Sequence, residues 1–153
     1  MSDATVSGAQ AAVDTGNGKV KVMGILVLVI GIIMIIAGIF TYPTTGSQLK
    51  AQKIVVAEDA EAFAGKPVAG PLTAYSQANV INKHTLAITE GKTYAELGRD
   101  DPTRETAMTS AFLQASLYTS VIAFGVAVLV AGLGVTFILI WLGLMWAAAP
   151  RRA

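Results

Sequence analysis

VMGILVLVIGIIMIIAGIFTY, residues Val22–Tyr42, carries no charged side chain in 21 positions. Near the other end, Thr106–Pro150 carries none in 45, and its second half, Val121–Trp146, is almost wholly apolar. A bilayer core of about 30 Å is crossed by roughly 20 apolar residues in a helix, so each run is long enough to span it. With 54% hydrophobic and 14% charged residues, charge falls well below the usual quarter, and the composition points to a membrane protein. The fold class expected is therefore an all-α membrane protein. It would be a two-transmembrane-helix hairpin with a small, mainly helical cap outside the cytoplasm and a long second helix extending out of the bilayer.

Lys19 and Lys21 precede the first run, and Arg151 and Arg152 follow the second. Basic residues gather at cytoplasmic span ends, so both termini are expected in the cytoplasm and the central segment outside it. Seven basic residues from Lys50 to Arg104 face eight acidic ones from Glu58 to Glu105, a balance that does not oppose this orientation. The first run is longer than a signal-peptide core and ends on no clean small-x-small site, so it reads as an uncleaved anchor. Phe40 and Tyr42 close the first span, Tyr118 opens the second, and Trp141 and Trp146 end it, at the headgroup levels aromatic residues favour.

These signals divide the chain. Residues 1–18, rich in Ala, Gly, Ser and Thr, are expected to form a disordered cytoplasmic tail. Residues 19–42 form the first transmembrane helix and 43–101 the extracytoplasmic cap. Residues 102–148 form one long helix whose second span covers about 120–146, and 149–153 are a cytoplasmic tail.

Within the spans, Gly24, Gly31 and Gly38 recur every seven residues. Ser120, Ala123, Ala127, Ala131 and Gly134 form a small-residue stripe in the second helix at steps of three and four. Small residues let helix backbones approach in lipid, so the two stripes are expected to face each other. One stripe could instead receive a helix of another protein, or the small residues could simply follow membrane-helix composition. Neither span holds Asp, Glu, Lys, Arg or His, which argues against a proton-coupled transporter or pump. Thr136, the one polar side chain deep in the second span, is expected to bond back to its own helix.

Asp100-Asp101-Pro102-Thr103 starts the long helix: Asp caps free amides and Pro suits the first turn. Met108, Phe112, Ala115 and Thr119 lie on one side of its stalk, and something should cover them. In the cap, Leu72–Thr89 is free of Gly and Pro. Ala74, Ala78, Ile81, Thr85 and Ile88 give it a helical repeat, with Gly91 as the stop. Thr93-Tyr94-Ala95-Glu96 is a T-x-x-E capping box. Gln48–Ala57 reads as a short strand or an extended link, and Glu58–Phe63 as a helical turn.

The inventory for chemistry is short. The absence of cysteine excludes disulfides, thiolate metal sites and cysteine nucleophiles. A net charge of +1 without a basic stripe excludes a nucleic-acid partner of the usual kind. His84 is the single histidine, in the cluster Asn79-x-x-Asn82-Lys83-His84, with Glu90 and Glu96 nearby in sequence. No metal, nucleotide or hydrolase motif surrounds it. No catalytic, cofactor-binding or metal residues are assigned and no cofactor is expected. The partners expected are the lipid bilayer and one or more membrane proteins.

Leu72–His84, Gly91–Arg104 and Ala111–Gly125 together resemble a family of small actinobacterial two-span membrane proteins, over most of the chain. Members are often labelled automatically as the small subunit of an aromatic-ring-opening dioxygenase. Such dioxygenases are soluble and hold iron through histidines and a carboxylate, whereas this chain has two candidate spans and one histidine. The resemblance therefore implies a bacterial plasma-membrane setting and lends neither an activity nor site residues. Three functions follow from these observations: a non-enzymatic accessory or scaffolding subunit of a larger membrane complex, of respiratory or envelope-transport type; a membrane-anchored lipid or small-molecule binding module; and an enzyme centred on His84.

Overall fold

The computed structural model describes the backbone of residues 3–149 and the side chains from Gly18 onward. Arg151 and Arg152 lie outside the described residues. Among the described residues there are three helices: α1, Asp3–Ala51; α2, Pro71–Ile88; and α3, Arg104–Ala147. Two of them are long and apolar enough to cross a membrane, over Gly18–Ala51 and Arg104–Ala147. Among the described residues the only β-pairing is the bridge Val55–Pro67.

Both ends of the first helix differ from the sequence expectation. α1 begins at Asp3, so the stretch expected to be a disordered tail is helical from there; its alanines at 4, 9, 11 and 12 are good helix formers next to an already helical run. At its other end α1 continues past Tyr42 and through Pro43 to Ala51. Proline removes one helical N–H, the one that would bond the Ile39 carbonyl, and the two residues after it bond back to the carbonyls that follow. Thr44 Oγ1 donates to the Phe40 carbonyl at 2.7 Å and Thr45 Oγ1 to that of Thr41 at 3.0 Å.

The chain divides into two compact units. The first joins residues up to Ile39 with those from Leu129 onward. Within it the helix backbones run antiparallel at close range. A Cβ placed on Gly31 would lie 2.8 Å from the Gly134 carbonyl oxygen, and one on Gly134 would lie 2.6 Å from that of Gly31. One placed on Gly24 would meet the Trp141 ring at 3.3 Å. Around this seam the side chains of Ile25, Leu26, Ile33, Ile36, Leu139 and Leu142 face outward and exposed, so the outer surface of the pair is apolar. Thr136 Oγ1 donates to the Gly132 carbonyl at 3.1 Å, so its hydroxyl proton is satisfied within its own helix, as expected.

The second unit, Phe40–Val128, is a cap built from the end of α1, α2, the first half of α3 and the loops between them. Its core holds Leu49, Val56, Val68, Ala74, Ala78, Leu117 and Phe124. Val56 and Val68 enter from a short hairpin in which Val56 N–H donates to the Lys66 carbonyl at 2.9 Å and Val68 N–H to that of Ile54 at 2.9 Å. Phe124 is 1% exposed and takes Tyr42 edge-on at 4.8 Å; burying a ring of this size contributes about 2–3 kcal/mol.

α2 matches the expected segment almost residue for residue. Gly70 caps it, Pro71 opens it, and Thr73 Oγ1 accepts from the N–H of Ala69 and of Gly70 at 3.1 and 3.2 Å. At its far end Glu90 (φ +56°) and Gly91 (φ +82°), the glycine expected to stop the helix, are both left-handed, and Gly91 N–H reaches back to Leu86 O at 2.7 Å. α3 starts where the Asp-Asp-Pro-Thr sequence indicates, with the N–H and hydroxyl of Thr103 donating to Asp101 Oδ1 at 2.8 and 2.6 Å.

The covered face of α3 is not the one expected. Ala107, Ser110, Leu117 and Phe124 are buried, whereas Met108, Phe112, Ala115 and Thr119 are exposed. Both stripes repeat at helical spacing. The smaller residues won because Ala107 and Ser110 let α2 approach closely, with Thr85 Oγ1 hydrogen-bonded to Ser110 Oγ and Tyr118 OH donating to Asn79 Oδ1 at 2.9 Å.

The glycine seam generates a paired prediction. Gly134→Ala has no room, since its Cβ would meet the Gly31 oxygen and Ile35, and is expected to destabilise the helix pair by about 1–3 kcal/mol. Gly132→Ala, with nothing within 4 Å, is expected to be neutral or slightly stabilising. Thermal unfolding of the two variants in detergent, followed by circular dichroism, checks the difference.

Candidate functional site: three grooves of the cap

Among the described residues no group of three His, Cys, Asp or Glu side chains could hold a metal ion. The cap carries three grooves among its described residues that could hold a ligand, each bounded by different elements.

The first, about 490 Å³, lies between α2 and α3. His84, Thr85, Glu105, Thr109 and Ser110 line it with Ile81 and Leu113. The second, about 460 Å³, lies between the end of α1, α2 and α3 and includes Gln48, Gln52, Gln77, Ser116 and Ser120. The third, also about 460 Å³, lies between the 59–63 turn and α2, with Asp59, Glu61, Tyr75 and Lys83 on its wall.

His84 takes a partner other than the glutamates near it in sequence. Its Nε2 lies 2.8 Å from Asp59 Oδ2, and Lys83 Nζ lies 3.3 Å from the same oxygen. The hydrogen bond from His84, reinforced by Lys83, holds the Asp59 carboxyl below the usual carboxylate range. About half of the His84 and Asp59 side chains and about two-thirds of Lys83 are exposed. Glu96 instead closes the expected capping box: its Oε2 accepts from the N–H of Thr93 at 2.7 Å and from its hydroxyl at 2.8 Å. These bonds, the backbone one foremost, lower its pKa, and the Thr103 side chain and backbone do the same for Asp101. The three carboxylates therefore order loops, and His84 clips the 59–63 turn to α2.

A second clip fixes the loop after α2. Arg104 donates through Nη1 to the carbonyl of Leu97 and, at 3.3 Å, to that of Tyr94, and its guanidinium lies 4.2 Å from the centre of the Tyr94 ring. Leu97 is buried beneath this arrangement.

The helix-packing residues assigned from sequence fall in both units. Gly24, Gly31, Gly38 and Gly134 are buried and Ala131 is half-buried in the first; Ala127 is buried and Ala123 half-buried in the second. Ser120, the first member of the second stripe, lines the α1–α2–α3 groove. The glutamines of that groove escape a sequence reading. Gln48, Gln52 and Gln77 belong to no motif and meet only because α1 extends beyond Tyr42 and α2 folds back against it. Helical spacing of Gln48 and Gln52, four residues apart, is the single trace they leave.

Comparison with protein-family models, curated proteins and solved structures matches none of them.

The Asp59 cluster yields a pH prediction. A carboxyl whose folded pKa is depressed contributes its bonds fully above the unfolded pKa, and they are lost as pH falls through the lower, folded value. Amide hydrogen exchange of residues 58–63, corrected for intrinsic rates, is expected to speed up only at that acid limit. In Asp59→Asn the same amides are expected to be unprotected already at neutral pH, and unchanged protection there would refute the clip.

Proposed function

We propose that this chain is a non-enzymatic accessory or scaffolding subunit of a larger complex in a bacterial plasma membrane, of respiratory or envelope-transport type. It crosses the bilayer twice as a hairpin, keeps both termini in the cytoplasm and holds its cap outside. Lys19 and Lys21 before the first apolar run support this orientation, as do Arg151 and Arg152 after the second. The absence of ionisable groups from the apolar runs and the tight glycine seam suit helices that anchor and dock.

The single observation that carries the reading is the outward stripe of α3 within the cap. Phe112 is 68% exposed, and Met108 and Leu113 beside it are also exposed, on a helix whose opposite side already packs the cap's own core. A small protein gains nothing for its own stability from a ring held in water, and large exposed apolar residues grouped together mark interaction surfaces.

A second reading, a membrane-anchored module for a lipid or small molecule, is favoured by the groove between α1, α2 and α3, which joins polar groups from three elements. A reading centred on His84 as a catalytic base has less support, because His84 and Asp59 are each about half exposed and their bond is accounted for as a link between the 59–63 turn and α2.

Purification in a mild detergent, with the mass of the particle measured on a native gel, tests the scaffold role. The parent chain is expected to migrate with fixed, stoichiometric membrane partners, and Phe112→Glu is expected to weaken that association by at least about tenfold, the loss of one interface anchor. Recovery of the parent chain as a free monomer would contradict it.

A further inference from the structure

Of the three grooves, the one between α1, α2 and α3 is the one without a charged residue on its wall. Its polar lining is neutral throughout: Thr45, Gln48, Gln52, Gln77, Ser116 and Ser120. The buried side chains of Leu49 and Leu117 form part of its apolar floor. The polar groups come from the end of α1, the middle of α2 and the first half of α3, so they converge only in the folded cap.

Several of these groups are already oriented. Gln77 Oε1 accepts from the Ala57 N–H at 2.9 Å, which fixes the amide and leaves its NH₂ as the donor end. Thr45 and Ser120 spend their hydroxyl protons on the carbonyls of Thr41 and Ser116, at 3.0 and 3.1 Å, so their oxygens remain as acceptors. Gln48 and Gln52 add both donor and acceptor capacity at the open side. A phosphate or carboxylate would demand a cation here, and an ammonium group would demand a carboxylate; neither is present on the wall. A ring carrying several hydroxyls needs what is present: alternating neutral donors and acceptors, and an apolar surface against which its C–H face can lie.

The position favours a ligand near lipid. Tyr42 and Phe124 stack within the cap, and Thr45 and Ser120 lie one helical turn beyond them, on α1 and α3 respectively. Aromatic residues that close an apolar run sit at the headgroup level. We propose that this cavity binds an uncharged, polyhydroxylated ring, as the sugar headgroup of a glycolipid or as the same sugar free in solution. The glycolipid source rests on the two-span membrane reading above; the site itself does not.

The test uses the full chain in nanodiscs of phosphatidylglycerol containing a minor fraction of glucosyl diacylglycerol, with retained lipid counted by native mass spectrometry. A second arm titrates methyl glucoside onto the detergent-solubilised chain and follows the side-chain amide resonances of Gln48, Gln52 and Gln77. Selective retention of the glycolipid is expected. In Gln48→Leu/Gln52→Leu it is expected to fall roughly fivefold for each hydrogen bond removed. Both residues are exposed and outside the core, so this variant folds as the parent does, which the circular dichroism spectrum verifies. Retention of glycolipid without a response to methyl glucoside supports the site and assigns the membrane as its source. A response to methyl glucoside from a chain that fails to enter the nanodisc supports the site and removes the membrane reading. Insertion with no response in either arm, equal retention of phosphatidylglycerol, or a double variant that binds like the parent overturns the proposal.

Discussion

At Gly31 and Gly134 two helix backbones pass so close that neither position has space for a methyl group. Two of the helices are long and apolar enough to cross a membrane, and helices that do so gain no hydrophobic reward from joining and associate through contact with each other. Glycine supplies that contact by removing the side chains that would hold the axes apart. The cost of glycine within a helix is a greater loss of backbone entropy, and it is offset only where the close approach is realised. Gly132, with open space around it, shows that not every glycine in α3 serves this purpose.

The cap follows a different logic. There the end of α1 and the first half of α3 gather loops and a third helix around a small aliphatic core with one buried ring. A segment of this size would be marginal as an independent domain. It has no disulfide to assist it, and two of its three helices are continuations of long apolar ones. Ordering is completed by local polar clips, His84 with Asp59, Arg104 with the 94–97 turn, and Glu96 with Thr93. Each of these groups holds a turn or loop of the cap in place.

Much of the helical framework was legible because strong, local signals marked it. Uninterrupted apolar runs located the two long helices, and Gly70-Pro71 and Asp101-Pro102-Thr103 marked the starts of α2 and α3 within two residues. Errors arose where a local rule met a tertiary alternative. Pro43 and the polar residues after it suggested an end to α1, yet packing of Leu49 in the cap core holds the helix through to Ala51. Along the stalk of α3 the large residues Met108 and Phe112 looked like the buried side, but small residues at 107 and 110 allow the closer approach of α2. The neutral groove was illegible for another reason: its members are spread from residue 45 to residue 120 and share no spacing.

Because the chain has no cysteine, a single one introduced at any position gives a labelling signal without background. Lys66→Cys and Lys19→Cys, each treated in intact cells with a membrane-impermeant maleimide, test the two-span arrangement most directly. Reaction at position 66 in intact cells, with reaction at position 19 only after lysis, is the result it predicts. Protection of position 66 until lysis, or equal reactivity of both positions in intact cells, would contradict it.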